Sequence, residues 1–371
     1  MELFNGVFPL KVHMIWSITI YDATMTMINI TLQNMTQPYS DGEDEIRSLT
    51  SIIFLAFILI IFIFLAVFGN ILVVMAVLKT PSLREEKSNL LVINLAVTDM
   101  LNGMTVMLST LVSLVMDVHV LPYMLCNLIC AANYCFIITS MMTLCYISID
   151  RFHAIIFPLT YVQRINGKVI GMAIASSWIE GIIFSIVPVI LNWIKYDYWE
   201  ITCAIQWHQE NDNAIYYVIV AFIVCFLVPG LVLAFNYIKI LREAKKKMKV
   251  WALNMRSTTD KCERKKIKQQ SASAKAVRSL LIVVLAYFIC MTPFSVTKLI
   301  KVTVVEPILP GVVNVTSSIF AFASSVVNPL IYGIFRRDFR QAFKNMIRKR
   351  QTEAAMNKIY PTSTVIMDES T

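Results

Sequence analysis

The chain has 371 residues, of which 57% are hydrophobic and only 15% are charged. Soluble domains carry about 45–50% apolar and about 25% charged residues, so this composition excludes a disordered chain and an ordinary cytosolic enzyme. The net charge is +9, but the basic residues cluster between long apolar blocks, which argues against a DNA-binding surface. The composition therefore indicates an integral membrane protein.

Seven apolar blocks follow one another along the chain, and each is long enough to cross a bilayer. A crossing needs about 20 apolar residues, and a helix satisfies its own backbone hydrogen bonds in lipid. The blocks cover residues 51–78, 90–116, 121–149, 169–194, 213–238, 279–301 and 307–335. We therefore predict an all-α membrane protein built as a seven-helix bundle.

The charges that flank these blocks predict their orientation. Acidic residues outnumber basic ones in the tail 1–50, whereas the segment 239–278 is rich in Lys and Arg. Basic residues concentrate on the cytoplasmic side of membrane proteins. We therefore predict an extracellular tail over 1–50 and a seven-transmembrane domain over 51–335, with 239–278 as its third intracellular loop. Residues 336–371 then form an eighth helix and a cytoplasmic tail.

The N-terminal tail contains two sequences of the type that accepts N-linked sugar. They are Asn29-Ile-Thr31 and Asn34-Met-Thr36, and glycosylation of both is expected if the tail is extracellular. Lys11 interrupts the first apolar stretch, and no basic segment precedes that stretch. We therefore expect an uncleaved tail rather than a signal peptide.

The apolar blocks contain polar residues and prolines, which are costly in lipid and are therefore candidates for function. Each motif lies within one block or directly at its end, and the motifs keep a definite order along the chain. In that order they are Gly69-Asn70, the stretch from Asn94 to Asp99, Asp150-Arg151-Phe152, Trp178, Pro229 with Tyr237, Cys290-Met291-Thr292-Pro293, and Asn328-Pro329-Leu330-Ile331-Tyr332.

Over residues 55–345 this ordered set of motifs resembles a rhodopsin-class (class A) G-protein-coupled receptor. The resemblance implies a plasma-membrane receptor that transduces an extracellular ligand, or basal activity, into activation of a heterotrimeric G protein. It also implies arrestin as a partner, and it implies no catalytic residues. Apart from a sodium ion, no cofactor is expected.

The resemblance implies a polar core around Asp99, a carboxylate near the middle of the second block. Its companions are Asn70, Ser140, Ser324, Ser325 and Asn328. In relatives this cluster holds a sodium ion in the inactive state, and a hard cation prefers such oxygen ligands. Ser324 departs from the Asn that the family usually has, so a water-filled polar cluster without an ion stays open as the alternative.

The resemblance also implies a G-protein switch at the cytoplasmic ends of the helices. Its residues are Asp150, Arg151, Tyr237, Asn328, Pro329 and Tyr332. Arg151 is always charged and can exchange acceptors, from Asp150 at rest to groups of the partner protein. Many relatives carry a Glu where this chain has Ser273. We therefore expect the resting state to lack one cross-helix tether and the protein to show basal activity.

The sixth block differs from the family at two positions of the switch core. Met291 stands where the family usually has Trp, and Tyr287 stands where it has Phe. Pro293 still removes a hydrogen bond and is expected to kink the helix. A hinge at Met291 and Pro293 is therefore predicted, although its trigger differs from that of the family.

Two features of the loops and tail follow from the resemblance. Cys126 and Cys203 occupy the positions of the family disulfide and face an oxidising compartment. The amphipathic stretch 335–343 is predicted to lie on the membrane by its Phe face and its basic charge, since no cysteine follows it for lipid attachment.

The ligand pocket is expected between the third, fifth, sixth and seventh helices. Candidate residues are Asn133, Tyr134, Ala221, Cys225, Phe294, Ser295, Lys298 and Ser318. Asn133 replaces the Asp of amine receptors, and Phe322 replaces the retinal-linking Lys of opsins. Lys298 and Lys301 either attract an anionic group of a ligand or extend to the lipid headgroups.

Several functions remain open from the sequence. Short stretches around Cys203, Pro158 and Ala323 are similar to the orphan ciliary receptor subgroup that raises cAMP. An amine-like or other small-molecule receptor of the same class fits almost as well. A seven-helix channel or pump is a weaker alternative, because Asp99 and Glu180 are nearly alone as intramembrane carboxylates.

Overall fold

The computed structural model describes residues 47–117, 121–205, 213–257, 281–301, 309–346 and 348. Asn29, Asn34 and Ser273 lie outside these residues, and so does the end of the C-terminal tail. The predictions made for them stay predictions.

Seven helices within the described residues are long and apolar enough to cross a membrane, which confirms the predicted bundle. They are α1 Leu49–Lys79, α2 Asn89–Met116, α3 Tyr123–Ile156, α4 Gly167–Ile190, α5 Ile215–Glu243, α6 Leu281–Lys301 and α7 Gly311–Phe335. Short helices, Pro81–Arg84 and Pro158–Arg164, lie in the loops after α1 and α3. The predicted block 169–194 ends as a helix at Ile190, because the chain then turns into a strand.

The helix that includes α5 continues to Ser257, well into the segment predicted as the third intracellular loop. The residues after Tyr237 are rich in Lys, Arg, Glu, Ala and Met. These are good helix formers, so the chain stays helical where hydropathy alone predicted the end of the span.

Close contacts between helices depend on small residues at particular points. A Cβ atom at Gly69 would lie 2.9 Å from Cγ of Pro329, so glycine lets α1 approach the proline of α7.

At the centre of the bundle, the indole of Trp178 donates to Asn94 (2.9 Å), and the Asn94 amide donates to Thr143 (2.8 Å). These two bonds join α4, α2 and α3 within the apolar interior.

The loop between α4 and α5 forms an antiparallel hairpin at the mouth of the bundle. Its strands are β1, Ile194–Asp197, and β2, Thr202–Ile205, with Tyr196 opposite Cys203. A disulfide joins Cys203 to Cys126 at the outer end of α3, with a Cα–Cα distance of 5.5 Å. The predicted pairing is confirmed. The hairpin itself was not predicted from the sequence.

A further helix, α8, runs over residues 337–346 after the chain turns at Arg336. Phe339 and Ala342 are buried, and the Phe339 ring stacks on Tyr332 of α7 with a centroid distance of 5.3 Å. The prediction that the Phe face rests on the membrane is wrong for Phe339. The turn at Arg336 brings that side chain against the bundle instead.

Candidate ligand pocket and signalling switch

A cavity of about 120 Å³ lies between α3, α5 and α6, with Ile205 of the hairpin in its wall. Six predicted pocket residues line it: Tyr134, Ala221, Cys225, Phe294, Ser295 and Lys298. Asn133 and Ser318 are buried but are not among the lining residues of this cavity. The wall is therefore mostly apolar, and Lys298 is the charged residue on it.

Other lining residues were missed from the sequence, among them Met141, Tyr217, Tyr287 and Met291. Tyr217 precedes Ala221 by four residues on α5, so helical spacing could have identified it. No comparable signal pointed to Ile205, because its place in the wall depends on the hairpin.

The two lysines of α6 pair with carboxylates of the hairpin. Lys298 donates to one oxygen, Oε2, of Glu200, and Lys301 donates to the other, Oε1, at 2.6 Å. Lys301 also donates to Asp197 at 2.9 Å. From the sequence, either an anionic ligand or lipid headgroups were expected at these lysines. The structure instead places acids of the hairpin there, and their sequence positions are far from α6.

Glu200 is almost fully buried, with 3% of its side chain exposed. Burial raises the pKa of Glu200, but the ammonium groups of Lys298 and Lys301 lower it by more, from 4.5 to about 2. The carboxylate therefore stays charged at physiological pH, and the hairpin remains fastened to α6 by full ionic pairs.

Arg47 fastens the same face of the molecule from the segment before α1. Its guanidinium pairs with Asp117 at 2.8 Å and donates to the carbonyl of Tyr198. It also lies 3.8 Å from the centroid of the Tyr198 ring, a favourable cation–π distance. The hairpin is thus held at its tip as well as by the disulfide and the α6 lysines.

In the polar core, Asn328 donates to Asp99 at 2.7 Å, which joins α7 to α2. Asn102 donates to the Ser325 hydroxyl at 3.1 Å, and Asn70 donates to the Ser325 carbonyl at 3.1 Å. The amide oxygens of Asn70 and Asn102 are buried without a hydrogen-bond partner among the described residues.

The polar core also contains Asn102, Ser324 and Ser140. Asn102 was missed by the sequence analysis, although its amide lies one turn beyond Asp99 on α2. Ser324 donates to the carbonyl of Ala321 at 2.7 Å, so its hydroxyl is bound to its own helix. Ser140 is buried on α3.

At the cytoplasmic end of α3, Arg151 pairs with two acids rather than one. Its distances are 2.9 Å to Asp150 and 2.7 Å to Glu86, which lies in the loop between α1 and α2. Arg151 also donates to the Ser88 hydroxyl, and Tyr161 donates to Asp150 at 2.8 Å. From the sequence, Arg151 was expected to lack a tether across the helices, because Ser273 replaces an acid. The structure corrects this expectation, since Glu86 supplies a second acid.

Glu86, the second acid, is ionised when it pairs with Arg151. Burial raises the pKa of Glu86, but the Arg151 guanidinium, together with Arg336 and the Ser88 hydroxyl, lowers it by more, so its pKa lies below the ordinary value of 4.5. Glu86 is still 39% exposed on its side chain, so water screens this pair. The bond is therefore charged at physiological pH and weak enough to be exchanged.

The remaining switch residues include two buried tyrosines. The hydroxyl groups of Tyr237 and Tyr332 are buried without a hydrogen-bond partner among the described residues. Tyr287 donates to the Ile137 carbonyl at 3.1 Å, a tether between α6 and α3 that a Phe lacks. Met291 is buried one turn above it.

Comparison with known proteins identifies the family. The sequence pattern of the 7 transmembrane receptor (rhodopsin family) matches residues 69–332, which is more than two thirds of the chain. The chain belongs to the rhodopsin family of seven-transmembrane receptors. A crystal structure of squid rhodopsin superimposes with a TM-score of 0.72 at 21% identity, covering 85% of this chain and 92% of that one. The structural match shows the shared fold.

Relatives within the rhodopsin family include several receptors named for amines. The chain is 28% identical to the octopamine receptor beta-2R of Chilo suppressalis over 348 residues, 86% of each protein. It is 25% identical to the 5-hydroxytryptamine receptor 4 of Cavia porcellus, with 89% of each covered. It is 30% identical to the human trace amine-associated receptor 8, with 80% of this chain and 86% of that receptor covered.

Membership of the rhodopsin family establishes the general function. The protein is a receptor and not an enzyme, it spans the plasma membrane several times, and it acts through a G protein in response to a small molecule. The similarity to the ciliary receptor subgroup stays a prediction.

Proposed function

We propose that a small extracellular ligand binds in the cavity between α3, α5 and α6 and thereby moves α6. The observation that carries this proposal is the composition of the cavity wall. Met291 lines the cavity and belongs to the predicted α6 hinge, and Tyr287, which also lines the cavity, tethers α6 to α3. A ligand in the cavity therefore contacts the residues whose movement opens the cytoplasmic side.

The proposal also concerns orientation and cytoplasmic partners. The acidic, sequon-bearing tail is extracellular, and Asn29 and Asn34 carry sugar there. The basic cytoplasmic segments then face the G protein and, in the active state, arrestin. Arg151 exchanges Asp150 and Glu86 for groups of the G protein when α6 swings outward.

The experiment is a panel that measures cAMP, calcium and inositol phosphate in cells expressing the wild-type receptor or Arg151→Ala, at equal surface expression. We expect a ligand-independent signal in at least one of the three measurements, and we expect Arg151→Ala to lose that signal. A signal that is equal in both would contradict the proposed switch.

For the polar core, we propose a sodium ion bound by Asp99 with the hydroxyls of Ser140 and Ser325. The two unpartnered amide oxygens of Asn70 and Asn102 support the proposal, because a hard cation takes oxygen ligands of this kind. The bound ion supplies a positive charge that favours the inactive arrangement of α2, α3 and α7.

Thermal unfolding of the purified receptor tests the sodium proposal. We expect a higher melting temperature in sodium chloride than in N-methylglucamine chloride at equal ionic strength for the wild type. Asp99→Asn should remove this difference, and Asp117→Asn, outside the core, should retain it. A sodium effect that survives Asp99→Asn would exclude Asp99 from the ion's ligands.

A further inference from the structure

The charged group on the cavity wall is a cation, although several relatives of this receptor are named for amines. The charged side chain on its wall is Lys298, whose ammonium nitrogen lies 5.0 Å from the centroid of the Phe294 ring. Asn133 supplies no negative charge on α3, where the sequence analysis placed the counter-ion of amine receptors. A cationic ligand would find no carboxylate among the lining residues, because the acid that balances Lys298, Glu200, reaches it from the hairpin.

Lys298 already binds a carboxylate that belongs to this chain. Glu200 reaches it from the turn of the hairpin, and the pair is withdrawn from solvent, with 9% and 3% of the two side chains exposed. Ile205, which lines the cavity, belongs to the same hairpin as Glu200. This contact shows that the ammonium group of Lys298, a lining residue, pairs with a carboxylate in surroundings that exclude water.

We propose that the cavity binds an aromatic or aliphatic carboxylic acid whose carboxylate replaces Glu200 at Lys298. The apolar wall, which includes Tyr134, Tyr217 and Phe294, takes the body of the ligand. This inference rests on the proposed function and names the chemical class of its ligand.

The two oxygens of Glu200 make the exchange feasible. Oε2 binds Lys298 and Oε1 binds Lys301, so Glu200 keeps one charged partner when Lys298 turns to the ligand. Lys301 also pairs with Asp197. Because the Asp197 side chain is 30% exposed, water partly solvates its carboxylate when Lys301 binds Glu200 more closely. The exchange breaks one ion pair and forms one, and it leaves no buried carboxylate without an ammonium group.

The exchange also has a mechanical consequence. Lys298 is one of the two α6 lysines that fasten the hairpin to α6. When the ligand takes over Lys298, the hairpin is held to α6 through Lys301 alone. Ligand binding therefore loosens the connection between the fixed outer loop and the helix that moves.

The test uses three probes that differ in charge and share one body: phenylacetate, 2-phenylethanol and 2-phenylethylamine. The melting temperature of the purified, detergent-solubilised receptor is measured against the concentration of each probe. We expect phenylacetate to stabilise the wild type in a saturable manner, with weaker stabilisation by the alcohol and none by the amine. Stabilisation by the amine exceeding that by the acid, or no response to phenylacetate, overturns the proposal.

Matched variants locate the anion. Lys298→Met should weaken phenylacetate binding at least tenfold, whereas Lys301→Met, one turn higher on the same helix, should change it less than threefold. Both variants leave Glu200 one lysine partner, so both are expected to fold. Equal loss in the two variants would place the anion elsewhere and would overturn the proposal.

A third variant tests the competition with the internal carboxylate. Glu200→Gln removes the competing charge and should tighten phenylacetate binding at least tenfold; unchanged or weaker binding in the folded variant counts against the exchange. If this variant does not fold, the comparison of the two lysine variants decides. The Arg151→Ala signalling assay is independent of these measurements, so a failed probe series leaves the receptor function distinguishable from the ligand class.

Discussion

The molecule has an ionic cluster at each end of its bundle, and the two differ in burial. In the outer cluster, Glu200 and Lys298 are 3% and 9% exposed. In the inner cluster, Glu86 and Arg151 are 39% and 20% exposed. Both clusters join a helix to an acid from a loop that is distant in sequence, so the difference lies in access to water rather than in the kind of contact.

This difference in solvent access separates a fixed contact from an exchangeable one. Removing one partner of a buried pair leaves an uncompensated charge and costs about 3–5 kcal/mol, whereas an exposed pair is worth about 0–1 kcal/mol. The outer cluster therefore holds the hairpin in place, and only a ligand that brings its own charge can substitute for it. In the inner cluster, Arg151 can release the exposed Glu86 at small cost, whereas its pair with Asp150, which is 3% exposed, is shielded from water and is the stronger one.

The largest expected effect is that of Glu200→Ala. It leaves Lys298 and Lys301 with only Asp197 among the acids of the cluster, so the free energy of unfolding should fall by about 3–5 kcal/mol. Asp197→Asn is the control, because it removes a charge that is 30% exposed and keeps a side-chain oxygen for the Glu200 backbone N–H, and it should cost less than about 1 kcal/mol. Denaturation of the purified receptor measures both. Equal losses would contradict the contrast between buried and exposed acids.

The disulfide provides the next effect in size. Cys126→Ser or Cys203→Ser should each lower the free energy of unfolding by about 2–5 kcal/mol, because the loop between them is no longer closed in the unfolded chain. The double variant should be no worse than either single one. Additive losses in surface expression would show that the two cysteines act separately.

A smaller effect is expected from Glu86→Gln at the inner cluster. Loss of an exposed tether of about 1 kcal/mol should raise the active fraction about fivefold when it begins near 1%. Glu85→Gln changes an exposed acid next to it and should leave basal signalling unchanged. The measurement is ligand-independent signalling at equal surface expression. If Glu85→Gln and Glu86→Gln signal alike, the tether to Arg151 does not restrain the receptor.

The smallest effect is that of pH on the outer cluster in the physiological range. The pKa of Glu200 is about 2 in the folded protein and 4.5 in its ordinary state, so its stabilisation is complete above pH 4.5. It is lost as the pH falls from about 4.5 towards 2. Melting temperatures of wild type and Glu200→Gln should therefore differ by a constant amount from pH 8 to pH 5 and converge below. Convergence already near pH 6 would contradict the lowered pKa.

Much of the fold was predictable because its signals are local. Hydropathy and length predicted seven spans, since lipid requires each segment to satisfy its own backbone. The ordered motifs led to the family and, through it, to Cys126 with Cys203 and to six of the residues that line the pocket. These inferences need only the residues of one helix at a time, or a position known from relatives.

The contacts that distinguish this receptor were decided by tertiary structure. Glu200 meets Lys298 across 98 residues, and Arg151 meets Glu86 across 65. Neither acid lies in an apolar block or a motif, so nothing in the sequence separates it from other loop acids. Only the path of each loop, set by the hairpin, the disulfide and the turn after α1, brings these charges together. The sequence by itself determined the spans, their motifs and the family, and the tertiary structure decided which charges pair at each end.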